Sequence, residues 1–153
     1  MKYSAKIVWQ KNPSEIFTDG KYSRVHEWQF DGGMKIPASP SPSVVPLPMS
    51  DEKLVDPEEA FVASLSSCHM LFFLSIAAKK KFVVEHYEDN AEGIIDRNAE
   101  GKLAMLSVTL NPVIIFSENN IPSLSTIDAI HEEAHDNCFI ANSVKTIIHI
   151  NSK

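Results

Sequence analysis

Apolar positions in this chain alternate, then cluster, then recur at helical spacing, which predicts strands first, a long helix, a hairpin, a second helix and a last strand. Lys2 to Trp9 and Tyr22 to Phe30 are rich in aromatic and β-branched residues, and Thr18-Asp19-Gly20 between them supplies an Asp-Gly turn. Asp31-Gly32-Gly33 turns the chain into a short strand at Met34 to Ile36. From Pro37 to Pro48, five prolines separated mainly by Ser, Val and Leu exclude a helix or central strand and favour extended backbone. Too little chain precedes them for a separate domain, so an ordered loop is expected, packed through Val44, Val45 and Leu47.

Asp56-Pro57-Glu58-Glu59 then offers an N-cap, a proline at the first helical position and a capping-box glutamate, and an apolar run continues to Ala78. Lys79, Lys80 and Lys81 close the helix where its dipole favours cations. With nearly all faces apolar, this helix is expected to be enclosed by protein. Ala60 to Ala78 approaches membrane-spanning length, but Ser64, Ser66, Ser67, Cys68, His69 and Ser75 favour a buried helix over a bilayer span. Phe82 to Ile95 and Lys102 to Phe116 read as two long strands joined by the turn Asn98-Ala99-Glu100-Gly101. Alternation in the second buries Ala104, Leu106, Val108 and Leu110 on one face. After Pro122, Leu124, Ile127, Ile130 and Ala134 give a helix through about Cys138, and Val144 to Ile150 is the last strand. The expected class is α+β in one domain over 1–153: strands in 1–36, a proline-rich loop in 37–55, a central helix in 56–81, and hairpin, helix and strand in 82–153.

Composition narrows the functional classes. A net charge of -6 and a sequence of 153 residues with one short basic run argue against a nucleic-acid binder, which needs clustered Lys and Arg. The N-terminal stretch Met1 to Gln10 lacks an apolar signal core, so a cytoplasmic protein is expected, with its two cysteines reduced. Free cysteines are commonly small buried hydrophobes. Here Ser64, Ser66, Ser67 and His69 make the surroundings of Cys68 unusually polar, which suggests an opening or an interface. A mid-helix thiolate needs a cation from elsewhere in the fold, and the chain has two arginines, Arg24 and Arg97. Arg24, in a strand-like segment, is either that cation or a surface charge.

Val55-Asp56-Pro57-Glu58-Glu59-Ala60-Phe61-Val62-Ala63-Ser64-Leu65-Ser66-Ser67-Cys68-His69-Met70 resembles the signature helix of the OsmC/Ohr family of hydroperoxide reductases. Ala134 through Cys138 to Asn142-Ser143 is similar to the family's second element, and Tyr22-Ser23-Arg24 through Gly33 with the proline-rich loop resembles its OsmC-like branch. The resemblance implies an OsmC-like fold and a dithiol peroxidase: Cys68 becomes a sulfenic acid, Cys138 condenses with it to a disulfide, and an external dithiol, for which the family precedent is lipoyl, restores both. It further implies that Arg24, with Lys21 as the alternative, stabilises the thiolate and that Glu58 fixes the guanidinium. No cofactor or metal is implied. Phe139 stands where many members have proline after the second cysteine.

Ten helical residues rise about 15 Å, so Glu58 cannot touch Cys68 of its own helix. If the two share a site, Glu58 comes from a second chain, which predicts an intertwined homodimer with long central helices and agrees with the family architecture. Organic hydroperoxides are the expected substrates, in a pocket built from Phe72, Phe73, Val44, Val45 and Leu47. Two other readings stand beside this one. A catalytically silent dimeric stress or interaction protein needs no reactive thiol. A zinc hydrolase would use His131-Glu132-Glu133-Ala134-His135, an H-E-x-x-H pattern with Cys138 three residues on. Against the zinc reading, His131 borders the apolar face of its helix, where a hydrogen-bonded histidine is ordinary.

Overall fold

The computed structural model describes residues 1–152 and divides into two compact units, 1–60 and 61–153. In the first, strands β1 (Ala5–Val8), β2 (His26–Phe30) and β3 (Lys35–Ala38) form an antiparallel sheet in that order. The expected strands are present but shorter. Tyr22 to Val25 is not strand, because Arg24 donates its backbone N–H to the Met49 carbonyl at 2.9 Å and not to a neighbouring strand. Pro37 does enter a strand, opposite Glu27 on the edge strand β3, where a missing N–H leaves no ladder bond broken.

The proline-rich loop is anchored by polar groups. Ser39 is fully buried, its N–H bonds the Val55 carbonyl at 3.0 Å, and its hydroxyl accepts the Asp51 N–H at 2.8 Å. Val44 and Leu47, expected to pack inward, are 63% and 55% exposed. Hydrogen bonds close this loop where apolar burial was expected.

Helix α1 (Pro57–Lys79) starts in the first unit and runs through the second. Its capping box is complete: Asp56 accepts the Glu59 N–H at 2.7 Å, and Glu59 accepts the Asp56 N–H at 3.2 Å. It ends on Lys81 in the left-handed region, φ 67°, with Lys81 N–H on the Ala78 carbonyl and Phe82 N–H on that of Ala77. These two bonds are a Schellman motif that carries a lysine at the position where glycine is usual.

The second unit contains β4 (Val84–Asp89), β5 (Glu92–Arg97), β6 (Leu103–Leu110), β7 (Pro112–Phe116), α2 (Leu124–Asn137) and β8 (Ile147–Ile150). Each of the two long strands expected here is broken in two. The outer halves pair as β4–β7 and the inner halves as β5–β6, with β8 adding to β6 in parallel. The break falls where side chains replace the ladder. Asn111 donates its N–H to Asp89 at 2.7 Å and its amide to the Asn90 carbonyl at 2.9 Å, and Pro112 then has no N–H to give.

Two apolar clusters hold α1. Phe73, Ile76 and Ala77 pack with Phe116 of β7 and with Ile130 and Ala134 of α2. Leu65 packs with Val108 and Leu110 of β6, as the alternation there predicts. Each fully buried Leu, Ile or Phe contributes about 1.5–3 kcal/mol. Val62 also meets β5 closely, since a Cβ at Gly93 would lie 2.7 Å from its Cγ2 and from Met105 Sδ. The opposite face of α1 is open in the single chain: Ala63, Ser67, Leu71, Ser75 and Ala78 are exposed, Leu71 by 62%.

Candidate active site

The polar residues of α1 find partners in the second unit. Ser64 back-bonds to the Phe61 carbonyl at 2.8 Å, and Ser66 donates to the carboxylate of Asp89. Both cysteines are unbridged thiols, Cys68 half-buried on α1 and Cys138 1% exposed. Cys138 caps the C-terminus of α2, donating its N–H to the His135 carbonyl at 3.2 Å.

Cys138 lies within interaction range of the Cys68 side chain. Burial, and then the neighbouring Cys68, push the Cys138 thiol up to about 11, while the Ala141 N–H, 3.4 Å from its sulfur, works the other way. Cys138 therefore keeps its proton at neutral pH. Next to it, Phe139 is 62% exposed and sits edge-on to Phe72, ring centroids 5.2 Å apart.

Arg24 belongs to the first unit. Its guanidinium donates to the carbonyls of Tyr22 at 2.9 Å and Gly20 at 3.1 Å and lies 4.2 Å from the centre of the Tyr22 ring. It helps line a cavity of about 440 Å³ with Ile7, Trp9, Phe17, Tyr22, His26 and Pro40. Lys21, the alternative cation, is exposed beside it in sequence. Glu58 is half-buried in the first turn of α1 and takes no part in the capping box, which Glu59 completes. Phe73, expected to line a peroxide pocket, is fully buried in the core cluster.

The H-E-x-x-H residues do not converge. His131 is 3% exposed and its Nδ1 lies 2.9 Å from Nε2 of His69, itself 1% exposed; Glu132 is exposed. Among the described residues no group of three His, Cys, Asp or Glu side chains is placed to hold a metal ion. Burial is the main cause that holds both His69 and His131 down at about 4, so the pair is neutral at pH 7. The sequence marks His69 as a polar group needing a partner, but nothing local points to His131, 62 residues away.

No curated protein matches the chain. Among solved structures, an OsmC-like protein of unknown function from Vibrio cholerae is 54% identical over 99% of this chain and 98% of its own, with a TM-score of 0.97. An OsmC-like protein from Mycoplasma pneumoniae is 16% identical over 100% and 96%, with a TM-score of 0.74. An organic hydroperoxide resistance protein from Elizabethkingia anophelis is 15% identical over 98% and 94%, with a TM-score of 0.67. The profile of the family described as OsmC-like protein matches residues 50–153, which span α1, both cysteines and every later strand. The chain belongs to the OsmC-like protein family.

Proposed function

We propose that the protein is a cysteine-based peroxidase that reduces organic hydroperoxides to alcohols. The observation that carries this reading is that Cys138 lies within interaction range of Cys68 in a chain of the OsmC-like family. Their environments divide the roles. Cys68 is the accessible sulfur and makes the first attack, and Cys138, buried and protonated, waits to resolve the product.

The Cys68 thiolate attacks one peroxide oxygen, the S–O bond forms as the O–O bond breaks, and the alkoxide leaves as the alcohol once protonated. The sulfenic acid on Cys68 then meets the Cys138 sulfur; an S–S bond forms and water leaves. An external dithiol reduces the disulfide and is itself oxidised to a disulfide, so one hydroperoxide and one dithiol yield one alcohol, one water and one new disulfide.

In this reading Arg24 stabilises the thiolate and the charge growing on the leaving oxygen, and Glu58 of a second chain orients the guanidinium. The open face of α1, with Ala63, Ser67, Leu71, Ser75 and Ala78, supports a homodimer that packs the long helices together. One equivalent of an alkyl hydroperoxide added to the reduced protein is expected to consume both thiols and leave a Cys68–Cys138 disulfide in the peptide map. Survival of both free thiols would leave the silent interaction protein as the better reading.

A further inference from the structure

The buried His69–His131 pair is not used by the chemistry above, yet it joins the two helices that carry the cysteines. His69 follows Cys68 directly on α1, and His131 lies seven residues, about 10 Å of helix, before the C-cap Cys138 of α2. The helices therefore meet through a polar contact as well as through the Phe73, Ile76, Ile130 and Ala134 cluster.

On stability alone the pair is a poor choice. The two rings lie nearly parallel, at 6°, beside Phe73, whose ring centre is 4.5 Å from that of His131. They make one hydrogen bond, while His69 Nδ1 and His131 Nε2 have no protein partner, and Nδ1 of the neighbouring His135 has none either. Unpaired buried polar atoms cost stability, and replacing both members of such a pair by apolar groups is often neutral or favourable. What an apolar pair would not supply is direction: an N–H···N bond of 2.9 Å fixes how one helix is placed along the other, whereas aliphatic side chains tolerate sliding and re-packing.

We propose that the His69–His131 imidazole pair is a positioning device for the Cys68–Cys138 couple, holding the helix that carries one thiol in register with the helix that ends on the other. The proposal rests on the two cysteines being a redox couple. His69 and His131 are positioning residues, acting through helix register on sulfurs they do not touch.

The test is the thiol–disulfide equilibrium against glutathione near pH 7, in which the two protein thiols give two electrons and two protons to oxidised glutathione and form one disulfide and two reduced glutathiones. It needs no peroxide. The probe variants are the double His69→Leu/His131→Leu, which removes the bond, and the conservative His69→Gln and His131→Asn, which keep a polar atom near the bonded nitrogen. The expected result is a disulfide equilibrium constant at least tenfold lower in the double variant, a shift of about 30 mV, with its unfolding midpoint unchanged or raised. The Gln and Asn variants should stay within about threefold of the parent. Should the double substitution unfold the chain, His131→Leu read against His131→Asn makes the same comparison at one position. Equal constants in parent and leucine variants, or Gln and Asn variants as weak as leucine, overturn the positioning role. A parent that forms no Cys68–Cys138 disulfide overturns the couple itself, and the positioning role with it.

Discussion

The carboxylate of Asp89 accepts the backbone N–H of Asn111 at 2.7 Å at the point where the long hairpin breaks. Its second oxygen takes the hydroxyl of Ser66, two residues before Cys68. One side chain thus terminates β4, satisfies an N–H the ladder cannot, and fastens α1 to the strands. Asp89→Ala should cost about 1.5–3 kcal/mol, the range for hydrogen bonds to a charged group, read as a lower urea midpoint at constant slope. A loss under 0.5 kcal/mol would show that water replaces the carboxylate.

Lys81 holds a left-handed conformation at the end of α1 that glycine adopts without a Cβ penalty. Lys81→Gly should raise stability by up to about 1 kcal/mol, since the two bonds of the Schellman motif use backbone alone. Thermal unfolding measures it, and a lower midpoint would mean that the lysine side chain contributes more than the strain it carries.

Acid should weaken the fold through the histidine pair, and the sign follows from where each ring binds its proton. Burial holds His69 and His131 at about 4, against about 6.5 in the unfolded chain. Between those values the unfolded chain binds protons that the folded one refuses, so stability is full above pH 6.5 and is lost as pH falls toward 4. The slope is at most about 1.4 kcal/mol per pH unit for each ring. Asp128 and Asp89 facing His131 reduce it, while His135 facing His69 adds to it. Urea midpoints at pH 7, 6 and 5 should decline in the parent and decline less in His69→Leu/His131→Leu; parallel lines would place the titrating groups elsewhere.

The cysteines should label unequally. At pH 8 iodoacetamide is expected to modify Cys68 at least ten times faster than Cys138, which is 1% exposed and whose thiol burial pushes up to about 11. Peptide mapping after timed quenching reads both rates, and equal labelling would contradict the division of roles between the two sulfurs.

The α1 boundaries were legible because capping is local: Asp56, Pro57 and Glu59 sit within four residues, and the fold uses them as the spacing predicts. The α+β order was legible for the same reason, each element having its own period. The break in the hairpin was not, because a strand that bends and one that runs straight share a period of two; only the pairing of Asn111 with Asp89 across 22 residues decides. At the site, two cysteines on two helices could be read as candidates, and their pairing only through the family resemblance, since no local spacing relates two residues so far apart. Nor could the pairing of His69 with His131, a relation between helices that no local pattern encodes.

The parallel pairing of β8 with β6 also governs how the molecule comes together in time. Ser107 pairs with Ile147, so the chain between them must close into a loop before the strand can dock. Closing it costs about 3 kcal/mol of chain entropy, and such long-range pairings are slow steps. Cys138 lies inside that loop. The stretch that β8 closes on β6 therefore carries the second thiol, while Cys68 on α1 lies outside it.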